Sequence, residues 1–324
     1  MLLALDHQGS AMTTAETVLL IGALFLALLV IGNIGFSKLA ERRNPPIGKF
    51  LKCDGVVLHY IDRGDPAAPC VVLLHGNGSM LQDFIISGLV DLLARNNRVV
   101  CFDRPGFGHS QRPRLRIWSA AAQAALLMKA LDQLGVRDPV VLGHSWGAFV
   151  AIALGVRKDY PTRGVVLASG YYFPTGRLDV WLMSAPAIPL LGDLVSYTVA
   201  PIISWAILPG ALRKIFAPRS VPPAFKNEFP TSLVLRPTQL RAAAEESALL
   251  IPTAAQLQSH YSTMGRRVQI FHGAEDRVIE VKQARDLHQA LLRSDLHLVP
   301  NAGHMVTHAD PAGIAEAVNS MTKS

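Results

Sequence analysis

Residues 139–155 read PVVLGHSWGAFVAIALG: a short apolar run, a Gly-His-Ser-Trp-Gly turn, and a second run of small and apolar residues. The first run is typical of a buried strand, and the second is typical of a helix that packs closely on a sheet. A serine on a strained strand-to-helix turn needs small residues two positions before and after it, because the two backbones approach each other there. Gly143 and Gly147 meet this need, so we predict that Ser145 is a nucleophile presented on such a turn.

Short β-branched runs recur on both sides of this segment and alternate with longer helical patterns. The predicted strands are residues 56–61, 71–74, 98–102, 140–142, 165–168, 268–271 and 296–299. The predicted helices are residues 119–134, 146–157, 281–292 and 311–321. This alternation predicts an α/β fold with a mostly parallel sheet that is covered by helices on both faces.

The alternation stops in residues 171–265, which we interpret as a helical lid inserted into a core domain of residues 50–170 and 266–324. Six prolines are expected to break this segment into short helices: Pro186, Pro189, Pro201, Pro209, Pro222 and Pro223. Its very apolar stretch, residues 188–212, is interrupted by Asp193, Pro201 and Pro209. We therefore expect lid helices packed on the core there, and not a membrane span.

A serine hydroxyl is a poor nucleophile unless a histidine takes its proton and a carboxylate orients that histidine. His304 lies in the loop that directly leaves the last predicted strand, and sites in open α/β sheets form outside such strand ends. We therefore prefer His304 to His272 and His308 as the base. The loop after residues 268–271 offers both Glu275 and Asp276 as the acid, and this pattern alone does not choose between them.

Acyl transfer also needs backbone N–H groups directed at the developing oxyanion. The residue after the nucleophile, Trp146, supplies one predicted donor. The glycine-rich turn His75-Gly76-Asn77-Gly78-Ser79 follows an early strand and supplies the second through the amide of Asn77. The segment DRPGFGHS, residues 103–110, lacks the third glycine and the helix start of a dinucleotide site, so we interpret it as a structural loop near the pocket mouth.

Residues 50–324 resemble the α/β-hydrolase superfamily through H-G-N-G, D-R-P-G-F-G-H-S, G-H-S-W-G, G-x-x-D-R-V and G-H, in that order. The resemblance implies an eight-stranded, mostly parallel sheet, a lid after strand six, and a pocket between the lid and the triad. It places the acid at Asp276, and it implies no metal and no organic cofactor. The superfamily includes esterases, lipases, lactonases, C–C bond hydrolases, dehalogenases and epoxide hydrolases. The last two attack with a carboxylate, so Ser145 disfavours both.

The N-terminal region is predicted to be a membrane anchor. Residues 17–36 read TVLLIGALFLALLVIGNIGF, an uncharged stretch of the length needed to cross a bilayer as a helix. A cleavable signal peptide is the alternative, but residues 1–16 carry Asp6 and Glu16 in place of a basic region. We divide the region into a tail (1–16), an anchor (17–37) and a linker (38–49). Basic residues follow the span at Lys38, Arg42, Arg43 and Lys49, which predicts a cytoplasmic domain.

Composition supports contact with lipid and excludes several other classes. Half of the residues are hydrophobic and only 17% are charged, which is an apolar balance for a soluble protein. The net charge of +7 is scattered and no nucleic-acid module is recognisable, so we expect no nucleic-acid partner. The three cysteines have no metal-ligand spacing and are expected to be buried thiols. The oligomeric state is left open.

These patterns predict a membrane-tethered serine hydrolase that cleaves a lipophilic carboxylic ester through an acyl-enzyme. An acyltransferase or a cofactor-free haloperoxidase would use the same triad, and an added alcohol or peroxide that competes with water would distinguish them. A non-catalytic binding protein of the same fold is the alternative from a different class. It would bind ligand without turnover.

Overall fold

Eight strands form one open sheet in a computed structural model, which describes residues 13–323 of the chain. The strands are β1 (Lys49–Cys53), β2 (Val56–Arg63), β3 (Cys70–Leu74), β4 (Arg98–Phe102), β5 (Val140–His144), β6 (Gly164–Ala168), β7 (Arg267–Gly273) and β8 (Ser294–Val299). Their order is β1-β2-β4-β3-β5-β6-β7-β8. Only β2 runs against its neighbours in this sheet of the described chain, and all other pairs are parallel. The predicted mostly parallel sheet is confirmed.

Strand β1 is absent from the strands predicted by sequence pattern. Its five residues, KFLKC, are mostly exposed, and only Cys53 at its end is buried. A largely exposed edge strand has no apolar run to reveal it. Its first residue, Lys49, lies in the predicted linker.

Helices cover both faces of the sheet. The helices of the core are α2 (Gln82–Ile86), α3 (Leu89–Ala94), α4 (Ala120–Gln133), α5 (Trp146–Gly155), α12 (Val281–Ala290), α13 (Val306–Ala309) and α14 (Pro311–Thr322). Val71 and Leu73 of β3 lie in the apolar cluster beneath α3 and α14, whereas Val72 and Leu74 lie in the cluster beneath α4, α5 and α12. Successive side chains of a strand point to opposite faces, so a strand that is covered on both faces is apolar throughout.

A helical insertion lies between β6 and β7. It contains α6 (Leu178–Met183), α7 (Leu191–Tyr197), α8 (Ala200–Phe216), α9 (Pro223–Glu228), α10 (Thr231–Val234) and α11 (Pro237–Leu257), with short 3-10 helices at Ala185–Ala187 and Gln258–Thr263. The predicted break at Pro209 is wrong, because α8 continues through it. An internal proline removes one backbone hydrogen bond, and the helix can bend without ending there. Pro201 lies in the first turn of α8, where that bond is missing in any case.

Helix α1 (Thr14–Arg43) precedes the sheet. Thr13 and Glu16 form a capping box that begins it, and residues 1–12 of the predicted tail lie outside the described residues. The helix extends beyond the predicted anchor of residues 17–37 and includes the first part of the predicted linker. Within residues 13–323 it is the one unbroken helix long and apolar enough to cross a membrane.

The C-terminal half of α1 contacts the insertion. The Asn33 side chain donates to the carbonyl oxygens of Tyr197 and Thr198, at 2.9 Å each, where α7 ends before α8. Glu41 pairs with Arg236 at 2.7 Å between oxygen and nitrogen. The helix is therefore fixed to the folded domain by specific polar contacts.

Candidate active site

Ser145 lies in the turn between β5 and α5 with φ 52° and ψ −119°. This backbone conformation is rare for a residue with a side chain and costs about 1–3 kcal/mol, so the surroundings must hold it in place. The Ser145 N–H donates to the carbonyl of Ala168 at 2.8 Å, which ties the turn to the end of β6. The turn therefore presents the serine at the carboxyl edge of the sheet.

Gly143 and Gly147 make this turn possible. A Cβ atom on Gly143 would lie 2.2 Å from the carbonyl oxygen of Gly147. A Cβ atom on Gly147 would lie 2.2 Å from the carbonyl oxygen of Leu74 in β3. Both distances are far below van der Waals contact, so a side chain at either position would push α5 away from the sheet.

The three predicted triad residues lie in a hydrogen-bonded row. His304 Nε2 is 2.9 Å from Ser145 Oγ, and His304 Nδ1 is 2.9 Å from Asp276 Oδ2. The loops that carry Asp276 and His304 leave the carboxyl ends of β7 and β8. In the sheet, β6 lies between β7 and β5, the strand that precedes Ser145. Since parallel strands end at one edge, residues far apart in sequence meet there.

The Asp276 carboxylate is buried and well supplied with donors. Its Oδ1 accepts from the N–H groups of Val278 at 2.7 Å and Ile279 at 3.0 Å. Burial acts to raise the pKa of Asp276, but the interaction and the hydrogen bond with His304 outweigh it, so the pKa lies below its usual value. An ionised carboxylate beside Nδ1 keeps the proton on that nitrogen and leaves Nε2 free to accept from the serine.

The competing candidates have other partners. Glu275 Oε2 accepts from the N–H of Ala302 at 3.1 Å. His272 Nε2 lies 3.0 Å from the carbonyl of Ile279 and 3.4 Å from Asp276 Oδ2. His308 Nε2 lies 2.6 Å from Asp83 Oδ1. Each of these contacts holds a loop in place, and Ser145 hydrogen-bonds to His304 instead.

The two predicted oxyanion donors border the serine. Trp146 begins α5, where backbone N–H groups have no acceptor within the helix. A Cβ atom on Gly76 would lie 3.0 Å from Ser145 Cβ, so the turn containing Asn77 is in close contact with the serine. The Asn77 side chain donates to the carbonyl of Ala243 at 3.0 Å and to Ser247 Oγ at 3.2 Å, both in α11. Helix α11 of the insertion thus holds this turn.

A buried ion pair beneath the site was not predicted from sequence. Arg104 and Glu246 have fully buried side chains and are joined by two hydrogen bonds, one of them 3.0 Å from Nη2 to Oε2. Arg104 Nε also donates to the carbonyl of His75 at 2.7 Å, and Trp146 Nε1 donates to the carbonyl of Glu246 at 3.0 Å. Arg104 therefore links the turn after His75 to Glu246 of α11, and the Trp146 side chain bonds to the α11 backbone directly. Gln123 also donates to Glu246 Oε1 at 2.9 Å.

Two further histidines support the loops as neutral groups. Burial, followed by the charge of Arg104, lowers the pKa of His75 to about 3. Its Nε2 accepts from the backbone N–H of Arg104 at 2.9 Å, which requires an unprotonated nitrogen. Burial, followed by the charge of His304, lowers the pKa of His144 to about 4. His144 Nε2 donates to the carbonyl of His304 at 3.0 Å and so links the nucleophile turn to the histidine loop.

The described residues, 13–323, hold no cluster of three or more His, Cys, Asp or Glu side chains arranged to bind a metal ion. The three cysteines are free and buried.

The sequence model of the Alpha/beta hydrolase family matches residues 71–317, and the chain belongs to this family. It is 26% identical over 282 residues to 2-hydroxy-6-oxo-2,4-heptadienoate hydrolase of Pseudomonas putida, covering 85% of this chain and 96% of that one. It is 28% identical over 198 residues to haloalkane dehalogenase 2 of Mycobacterium tuberculosis, covering 60% and 63%. These relatives are hydrolases, and hydrolysis is the class of reaction that membership indicates.

Solved structures share the fold. A bacterial membrane phospholipase A matches 95% of this chain and 94% of its own, with a TM-score of 0.66 and 20% identity. An enol-lactonase of Burkholderia xenovorans matches 85% of this chain and 100% of its own, with a TM-score of 0.69 and 19% identity.

Proposed function

We propose that this chain is a membrane-anchored serine hydrolase that cleaves a lipophilic carboxylic ester through an acyl-enzyme. The observation that carries this proposal is the row from Ser145 through His304 to Asp276, with 2.9 Å at both steps. A serine, a base and an orienting acid within hydrogen-bond reach are the arrangement that activates a hydroxyl for acyl transfer. The carboxylate attack of a dehalogenase has no counterpart at position 145.

In the first half-reaction Ser145 Oγ attacks the ester carbonyl carbon while His304 Nε2 takes the hydroxyl proton. The oxyanion forms beside the backbone N–H groups of Trp146 and Asn77, which are the proposed donors. The tetrahedral intermediate then collapses, the C–O bond to the alcohol breaks, and His304 donates its proton to the leaving alkoxide. Asp276 remains ionised and stabilises the imidazolium.

In the second half-reaction a water molecule replaces the alcohol. His304 Nε2 takes a proton from this water as it attacks the acyl carbonyl bound to Ser145. Collapse breaks the bond to Ser145 Oγ, which recovers the proton, and the carboxylic acid is released. One water is consumed for each ester cleaved, and His304 carries out every proton transfer in both half-reactions.

The proposed substrate is lipophilic because of the surroundings of the site. Helix α1 is apolar and exposed over its N-terminal half, and the insertion above the site carries many exposed large apolar side chains. The basic residues after residue 36 support a cytoplasmic domain. A reporter enzyme fused to the C-terminus and active only outside the cytoplasm would overturn this orientation.

Hydrolysis of a carbon–carbon bond is the second candidate. It is favoured by the likeness to 2-hydroxy-6-oxo-2,4-heptadienoate hydrolase, which extends over 96% of that protein. Turnover of that dienoate faster than of any ester would replace the proposed activity with this one.

The first experiment is labelling of the detergent-solubilised protein with a fluorophosphonate probe. We expect wild type to be labelled, and Ser145→Ala and His304→Ala to be unlabelled. Ser320→Ala and His288→Gln are matched controls at remote positions and should label like wild type. A folded wild type that stays unlabelled would contradict the proposal and favour a non-catalytic binding protein.

The second experiment compares p-nitrophenyl esters of increasing acyl length in mixed micelles. Long-chain esters should be turned over with the higher kcat/KM, because the apolar surroundings favour long chains. A clear preference for short, water-soluble esters would contradict the lipophilic assignment and leave the serine chemistry intact. Added alcohol or peroxide that diverts the acyl group from water would indicate a transferase or a haloperoxidase-like reaction.

A further inference from the structure

Helices α6, α7 and α8, with the connections between them, carry large apolar side chains that do not face the core. The most exposed of them are Leu178, Trp181, Leu182, Leu190 and Trp205, with Leu190 at 85% and Trp181 at 79%. We call this surface, residues 178–207, the apolar face. Monomeric soluble proteins rarely expose a contiguous apolar patch of this kind, and such patches mark contact with a membrane or a partner.

The apolar face is joined to α1 at a defined depth. Asn33 donates to the carbonyls of Tyr197, the last residue of α7, and Thr198, the first residue of the break before α8. Asn33 lies three residues before Phe36, the end of the predicted hydrocarbon-spanning stretch. At a rise of 1.5 Å per residue this places the break about 5 Å inside that end. If α1 crosses the membrane, the break is therefore held at the boundary of the acyl-chain region.

The same contact provides hydrogen-bond partners for backbone carbonyls that would have none in lipid. The last carbonyls of a helix have no partner within the helix, and lipid cannot supply one. Helices α7 and α8 meet at a 66° bend, and the carbonyls of Tyr197 and Thr198 lie at the end of α7 just before it. The Asn33 amide, near the C-terminal end of the apolar stretch, satisfies two of them.

We infer that α6–α8 lie in the membrane surface, with the apolar face against lipid acyl chains, as a second lipid contact beside α1. Tryptophans such as Trp181 and Trp205 are typical of the membrane–water boundary. Basic residues end α1 at Arg42 and Arg43, and Arg213 lies in the last turn of α8, which suits anionic headgroups. The acidic side chain of α7, Asp193, is paired with Arg114 at 2.8 Å. The inference rests on the proposed membrane placement of α1 and is independent of the proposed chemistry.

The test is depth-dependent quenching in the full-length protein. One cysteine at a time is introduced at an exposed position: Ile203→Cys in the apolar face, Leu24→Cys in α1, or Leu292→Cys on the surface of the core domain. The native residues are 55%, 56% and 69% exposed, respectively. The three native cysteines are buried, so a nitrobenzoxadiazole label reports the introduced thiol. Each protein is placed in phosphatidylcholine–phosphatidylglycerol vesicles with and without doxyl-labelled acyl chains. We expect loss of fluorescence at positions 203 and 24, and none at 292.

Three results would overturn the inference. Quenching at position 24 without quenching at 203 would leave the anchor in place and put the apolar face in water. Quenching at neither position would remove the anchor and, with it, the depth argument. A probe at 203 that is shielded from both doxyl lipid and aqueous iodide would assign the face to a second copy of the chain. Fluorophosphonate labelling of the same samples reports the serine chemistry separately.

Discussion

Replacement of Glu246 by glutamine tests whether the buried ion pair beneath the site holds the domain together. Glu246→Gln keeps the size and shape of the side chain and removes its charge, which leaves the Arg104 guanidinium without a counter-charge. Both side chains are fully buried, so water cannot replace the lost partner. Removal of one partner of a buried pair typically costs about 3–5 kcal/mol, because an uncompensated charge remains in the interior.

The assay is urea unfolding in detergent, followed by circular dichroism. With a slope of about 3 kcal/mol per molar urea, the expected loss lowers the midpoint by about 1–2 M. The control is Asp286→Asn, which also removes a carboxylate from an ion pair. Its partner, Lys282, lies one helical turn away on the surface. Since the Lys282 side chain is 72% exposed, this control should lose no more than about 0.5 kcal/mol.

A loss below about 1 kcal/mol in Glu246→Gln would refute the reasoning. It would mean that water reaches Arg104, or that Arg104 finds another acceptor. It would also remove the argument that Glu246 positions the turn after His75 through Arg104.

Three further changes have defined outcomes. Gly147→Ala should lower the free energy of unfolding in urea by at least about 3 kcal/mol, because its Cβ would meet a β3 carbonyl. The control, Gly210→Ala, lies in open space within α8 and should be neutral or stabilising. Equal effects of the two changes would contradict the close approach at Gly147. Asp276→Asn should keep the fold and lower kcat by about 10⁴-fold in ester hydrolysis, because the amide favours the wrong imidazole tautomer; near-normal kcat would assign the acid elsewhere. His144 and His75 have pKa values of about 4 and about 3 when folded, against 6.5 ordinarily, so the unfolded chain binds the extra protons. The contribution of these two histidines to the free energy of unfolding should be complete above pH 6.5 and should fall towards pH 4 by about 1.4 kcal/mol per pH unit for each group. A urea midpoint that rises on acidification would contradict this.

The sheet was predictable because its central strands are covered on both faces. Such strands are short, continuous apolar runs, and seven of the eight were located by this pattern. Strand β1 was not, because an exposed edge strand such as KFLKC carries little apolar signal. Helix α8 was predicted to break at Pro209, since local sequence does not reveal how much bending the surroundings tolerate.

The candidate site was predictable where chemistry limits the residue types. Ser145 and His304 follow from the turn and from the loop after the last strand, but the choice of Asp276 over Glu275 needed the family resemblance. The structure gives Glu275 a backbone partner, Ala302, which no sequence pattern indicated. Glu246 was missed because a single glutamate in a helix is ordinarily solvated, and only the fold brings it to Arg104.

The hydrogen bonds from Asn33 to Tyr197 and Thr198 have a kinetic consequence. A flexible tether would let the domain sample a volume of solution, but a helix fixed to the domain holds the serine at one height and orientation relative to α1. With α1 in a bilayer, as proposed, encounters with substrate become two-dimensional. Turnover would then follow the mole fraction of substrate within the enzyme's own membrane, and the total amount of substrate in the suspension would matter little.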